Sequence, residues 1–162
     1  LQGFGRLSDE FGVLCPRTGL LWPMLKPVAL KNSSIQVIRD FSADAVIGPV
    51  YQGTRKGDVA HLAPADDSVD ARKLPAQPKL LIFPSFRKGA ALSARRLPAE
   101  NAFARLAFNS FNYSILGPVS FNAVADVVAS CSAFELQYSG FDEAIEFIRE
   151  RLAESPVALA TT

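Results

Sequence analysis

The sequence predicts an α/β protein. Short apolar runs of strand length occur along the chain, Leu80-Leu81-Ile82-Phe83 being the densest. The C-terminal third carries apolar residues at helical spacing. The composition is that of an ordinary globular domain, 49% hydrophobic and 20% charged over 162 residues.

The elements follow in order. Leu7 to Leu14 reads as a strand that carries Asp9 and Glu10. Cys15-Pro16-Arg17-Thr18-Gly19 is a turn, with Gly19 suited to a positive φ, and Leu20-Leu21-Trp22 returns as the second arm of a hairpin. Pro23 and Pro27 interrupt before Val28-Ala29-Leu30. Asn32 or Ser33 caps a short helix with Ile35, Ile38 and Phe41 on one face. Val46 to Val50 is apolar and broken by Gly48-Pro49. A polar cluster, Thr54-Arg55-Lys56-Gly57-Asp58, leads into the strand Val59-Ala60-His61-Leu62.

Residues 63–78, rich in Pro, Ala and Asp, read as a surface loop without period. Lys79 to Phe83 is expected to be a central buried strand ended by Pro84, and Ala90-Ala91-Leu92 a further short strand. Pro98 opens a helix with Phe103, Leu106 and Ala107. Phe121, Val124, Val127, Val128 and Cys131 mark a second helix, Phe134 to Tyr138 alternates as a strand, and Phe141, Ala144, Ile145, Ile148 and Leu152 form the last amphipathic face, stopped by Pro156. The aromatic stripe Phe103, Phe108, Phe111, Tyr113 and Phe121 is expected in the core. One domain over residues 1–156 and a loose tail at 157–162 complete the expected organisation.

Several classes are disfavoured. The net charge of +1 lacks the basic stripe of a nucleic-acid binder. No apolar run approaches the roughly 20 residues of a membrane span. Cys15 and Cys131 read as two buried free thiols of a cytoplasmic protein, with a disulfide between them as the alternative, and with a single His they do not make a zinc site.

Chemistry is suggested in five places. Adjacent carboxylates at a strand end, as at Asp9-Glu10, suit a metal–nucleotide complex in phosphoryl transfer, because Mg²⁺ takes hard oxygen ligands; the same pair also reads as a solvated strand end or turn. Arg55 and Lys56 can neutralise phosphate oxygens, with Gly57 allowing close backbone approach; the same pair also reads as plain surface charge. His61 is a catalyst or an ordinary strand histidine. Lys31 and Asn32 precede a helix N-terminus that can hold an anion, or Asn32 is simply its cap. Arg87 and Lys88 follow the Leu80–Phe83 strand, where α/β sites lie, or belong to a basic loop. Asn109, Ser110 and Asn112 read as structural.

The chain resembles the HPr kinase/phosphatase-like family, and within it the branch called HprK-related kinase A. The resemblance rests on Leu7-Ser8-Asp9-Glu10-Phe11, Leu30-Lys31-Asn32-Ser33-Ser34-Ile35, Gly48-Pro49-Val50, Thr54 to Leu62, Asp67-Ser68-Val69, Ile82-Phe83-Pro84 and Asn109-Ser110-Phe111-Asn112-Tyr113, in that order. It implies a P-loop-containing kinase fold of the HPr kinase/phosphoenolpyruvate carboxykinase type, a mixed sheet flanked by helices. Relatives carry a Walker A loop and one helix before the Leu-Ser-Asp-Glu segment; this sequence has neither, and an N-terminal truncation is expected.

The resemblance further implies ATP and Mg²⁺ as cofactors, Asp9 as base and Glu10 as metal partner, although the family's usual pair is two aspartates. The acceptor would be a hydroxyl, on a protein serine or a small molecule, and homo-oligomers are implied by analogy alone. The alternative is a non-catalytic kinase-like module kept for regulated protein binding.

Overall fold

The structure, a computed structural model, describes residues 3–154. These form two units, one from residues 3–15 and 20–76, the other from 16–19 and 77–154. Together they are mixed α/β, with sheets flanked by helices. Pro156 as a helix stop and the tail at 157–162 lie outside the described residues.

In the first unit, β1 (Val13–Leu14) pairs antiparallel with β2 (Leu21–Trp22), as the hairpin reading expects. The strand expected from Leu7 is confined to these last two residues. The Leu7 carbonyl accepts the Met24 N–H, the chain bends at Leu7, Asp9 and Glu10, and the Ser8 hydroxyl accepts the Phe11 N–H at 3.4 Å. A serine that bonds the backbone three residues on offers the chain a turn in place of a ladder. The acidic pair therefore stands on a bend, not at a strand end.

β3 (Val28–Lys31), β4 (Tyr51–Thr54) and β5 (Gly57–Leu62) form an antiparallel sheet in the order β3-β5-β4. Between them α1 (Ser33–Phe41) lays Ile35 and Ile38 against Leu30 and Ala60, with Val28, Ile47 and Leu62 around them. This is the stripe the helical spacing predicts. The loop expected at 63–78 contains a one-turn helix, α2 (Asp66–Asp70). Its Ser68 is buried and accepts the Arg6 N–H at 2.8 Å, a long-range contact that no local periodicity announces.

In the second unit, β6 (Leu80–Phe86), β7 (Ser93–Arg96), α3 (Ala99–Phe108), α4 (Tyr113–Leu116), α5 (Pro118–Ser130), β8 (Ser132–Tyr138) and α6 (Phe141–Glu154) follow in sequence. β8 is the middle strand, parallel to β6 and antiparallel to β7. The apolar run 80–83 is thus on an edge and half-buried, not central, and the strand continues through Pro84 to Phe86. Proline is tolerated there because an edge strand needs ladder donors on one side only. The strand expected at 90–92 lies three residues later, at β7.

Alternate residues of β8 face different helices. Ala133 packs with Leu97 and Ala102, near Val128 of α5, and Glu135 meets Arg105 of α3. On the opposite face the Phe134 ring lies 5.4 Å from that of Phe147 and Tyr138 6.3 Å from Phe141, both on α6. The sheet of this unit is therefore sandwiched between α3/α5 and α6.

The aromatic stripe is not a core. Phe103 packs on Phe121 and Tyr113, but Phe108, Phe111 and Phe121 are exposed. Phe108 ends its helix and Phe111 follows in the turn, where helical spacing no longer directs them inward. No described helix is long and apolar enough to cross a membrane.

Candidate functional site

Strand alternation sorts the first unit's sheet into two faces. Val28, Leu30, Ala60 and Leu62 face α1. The opposite face carries Ala29 directly across from His61, and Lys31 directly across from Val59. Ala29, Lys31 and His61 are all exposed. Ala29 also lines a small cleft of about 160 Å³ with Ser8, Asp9, Glu10, Lys26 and Pro27. The bend bearing the carboxylates borders a second cleft of about 360 Å³, whose walls include Arg6, Leu21 and Trp22. The structure thus brings Asp9 and Glu10 to the sheet face that bears Lys31 and His61. His61 is an exposed face residue, not a core histidine, and its carbonyl accepts the Gly48 N–H at 2.9 Å.

The bend is tied down from both sides. The Arg6 guanidinium donates to the Lys26 carbonyl at 2.8 Å, and the Arg6 and Leu7 backbone groups bond Ser68 and Met24. Both carboxylates remain exposed.

The second cluster is built at one end of the same sheet. Arg55 and Lys56 are the two-residue connection between β4 and β5. The Thr54 hydroxyl donates to the Gly57 carbonyl at 2.6 Å and accepts the Lys56 N–H at 3.1 Å. Gly53, at φ 65°, sends its N–H to the Asp58 carboxylate at 3.1 Å. Asn32 then locks the hairpin to β3: its N–H donates to the Asp58 carbonyl at 2.9 Å, and its side-chain oxygen accepts the Asp58 N–H at 3.1 Å. Asn32 occupies the N-cap position of α1 but makes no side-chain cap bond. The cap expected of it is replaced by a cross-strand bond, while Ser34 bonds back to the Lys31 backbone at 2.7 Å.

Lys31, Asn32, Arg55, Lys56 and Gly57 are therefore gathered by one turn and one ladder. Among the described residues neither Arg55 nor Lys56 makes an ion pair, which leaves two uncompensated cations on the hairpin tip. Such a tip can neutralise phosphate oxygens. Arg87 belongs to the other unit, exposed just past β6, with its N–H on the Tyr138 carbonyl at 2.9 Å. Sequence reasoning missed Lys26, Thr54 and Asp58 as parts of this arrangement. Thr and Asp flanking a tight Arg-Lys-Gly turn are the signal for the last two; Lys26 has none.

The donor set fits Mg²⁺ in part. Asp9 and Glu10 supply two hard carboxylates, and among the described residues no group of three His, Cys, Asp or Glu converges. Two carboxylates suffice for Mg²⁺ when substrate phosphates and water complete the shell. For ATP the chain offers the cations Lys31, Arg55 and Lys56, but its 162 residues contain no Gly-x-x-x-x-Gly-Lys-Ser/Thr cradle. Comparisons of the chain with protein-family models, with curated proteins and with solved structures found no match.

Proposed function

We propose that this chain carries the acceptor side of an ATP-dependent, Mg²⁺-assisted phosphotransferase of the HPr kinase-like type, in a P-loop-containing kinase fold and acting in the cytoplasm. The single observation that supports this best is the cleft that the carboxylate pair Asp9-Glu10 lines with Ala29, on the sheet face that also carries His61 and Lys31. Phosphoryl transfer to a hydroxyl needs little covalent chemistry from the protein; it needs positioning, a proton acceptor and neutralised charge. Asp9, exposed on a fastened bend, accepts the proton of the attacking hydroxyl. Glu10 would hold Mg²⁺, which when bound shields the phosphate charges. Lys31, Arg55 and Lys56 bind phosphate oxygens, and the Asn32 lock keeps their strand and hairpin in register. His61 orients the acceptor by a hydrogen bond. The acceptor is a hydroxyl, on a protein serine or a small molecule.

The test is Asp9→Asn in the protein. Transfer of labelled phosphate from ATP should fall by about 10²-fold or more while nucleotide binding, followed by a fluorescent ATP analogue, is retained. Unchanged turnover would remove Asp9 from the mechanism.

A further inference from the structure

In the second unit, the end of the sheet where β6 and β8 begin opens into a cleft of about 650 Å³. Its walls come from the entry to β6, the end of β7, the α5–β8 junction and the last turn of α6. The sheet register explains the grouping. β8 runs parallel to β6, so both strands start at this end; β7 runs antiparallel, so its last residue, Arg96, stands across from Phe134.

The unfilled polar capacity of the cleft is almost all on the donor side. Lys79 and Arg96 make no ion pair among the described residues, although Lys79 is half-buried. The Ser132 hydroxyl and the Gln77 amide, which can also donate, have no hydrogen-bond partner among the described residues. The one carboxylate on the wall, Glu154, is already engaged by Arg151 at 2.6 Å. The Ser130 hydroxyl donates to the Val127 carbonyl at 3.1 Å. Burial pushes the Cys131 thiol up from its ordinary value, so it adds no negative charge near pH 7. An occupant must therefore bring the acceptor oxygens and the negative charge.

Three cations against one carboxylate, in a recess with protein walls, concentrate positive potential. Arg151 answers Glu154 and the end of its own helix; Lys79 and Arg96 answer neither. Pro78, Ala129 and Phe134 give the recess an apolar side. Its volume lies within the roughly 300–1,000 Å³ of small-molecule sites.

We propose that this cleft binds a small organic oxyanion, its phosphate or carboxylate group met by Lys79 and Arg96 and its apolar body lying on Phe134. The inference is independent of the phosphoryl-transfer reading, since none of its residues enters that site.

Amide chemical shifts of the whole chain test it, titrated with phenyl phosphate, with benzoate and, as a neutral counterpart, with benzyl alcohol. The anions should shift the amides of Lys79, Ser132 and Arg151 saturably, and benzyl alcohol should not. A response to phenyl phosphate alone assigns the cleft to phosphates, to benzoate alone to carboxylates, and to both to oxyanions at large. Raising the salt from about 20 to about 300 mM should weaken wild-type binding, because charges in an open cleft are screened. The double substitution Lys79→Met, Arg96→Gln should weaken it about tenfold or more and leave amides remote from the cleft in place. Cleft amides that ignore both anions or follow benzyl alcohol equally, binding indifferent to salt, or a double variant that binds as wild type would each overturn the proposal. Each amide is read separately, so anion binding at the Arg55–Lys56 turn is scored apart from binding here.

Discussion

Asn32 and Gly57 interlock. A Cβ built on Gly57 would stand inside the Asn32 side-chain amide, far closer than any real contact, and Gly57 holds φ 84° where only glycine is at ease. Asn32 itself sits at φ 49°, ψ −124°, a conformation rare for any residue with a side chain. The pair fastens the Arg55–Lys56 turn to the end of β3, so both residues are shaped by a tertiary contact and not by their own neighbours in sequence.

Gly57→Ala should therefore cost about 2 kcal/mol or more, from the forced φ and the displaced amide together. Asn32→Ala should cost about 1–2 kcal/mol, because the Asp58 N–H loses its acceptor while the backbone strain stays. Asn32→Gly should cost less than Asn32→Ala, since glycine adopts the same φ and ψ without penalty. Urea unfolding midpoints of the three variants check the order; equal losses for Ala and Gly at position 32 would remove strain from the account.

Glu135 is the shared carboxylate of a three-residue ion cluster. Arg95 donates to it at 2.6 Å and Arg105 at 2.7 Å, while the Arg105 guanidinium also lies 5.4 Å over the Phe83 ring. The hydrogen bond from Arg95 first, then that from Arg105, holds the carboxyl below its ordinary value of 4.5. A carboxyl depressed in the folded state stabilises the fold above its unfolded pKa, and that contribution disappears as pH falls through the folded pKa. The wild-type melting temperature should exceed that of Glu135→Gln near pH 7, and the gap should close below about pH 4. A gap independent of pH would mean that packing, not ionisation, separates the two proteins.

Among the described residues Leu136 is the most deeply buried large side chain, 2% exposed in the middle strand β8. Leu136→Ala should cost about 2–5 kcal/mol through lost transfer energy and the cavity left behind. The exposed Leu74, changed to Ala, should move stability by no more than about 0.5 kcal/mol. Denaturant melts with unchanged slope would confirm that the two differ in stability alone.

Local chemistry made much of the fold legible. The period of Ile35 and Ile38 announced α1, the alternation from Phe134 to Tyr138 announced β8, and Gly19 between two apolar arms announced the first hairpin. The residues named for the site, Asp9, Glu10, Lys31, Asn32, Arg55, Lys56, Gly57 and His61, were visible by type, since carboxylate pairs and cationic turns stand out against an apolar background. Their grouping was not. Asp9 and Glu10 left the strand assigned to them because Ser8 turns the backbone, and Asn32 gave up its cap role for a partner 26 residues away.

By itself, then, the sequence determined what is periodic or local: which segments are helical, where turns fall, and which side chains carry charge. Tertiary structure alone decided that β8 and not β6 is central, that Pro84 lies within an edge strand, that Phe108 and Phe111 face outward, and that the carboxylates share a sheet face with Lys31 and His61. Strand order and face assignment depend on pairing partners far apart in the chain. Hydrophobicity at a single position is the same whether the surface that will cover it lies on a neighbouring strand, a distant helix or a second molecule.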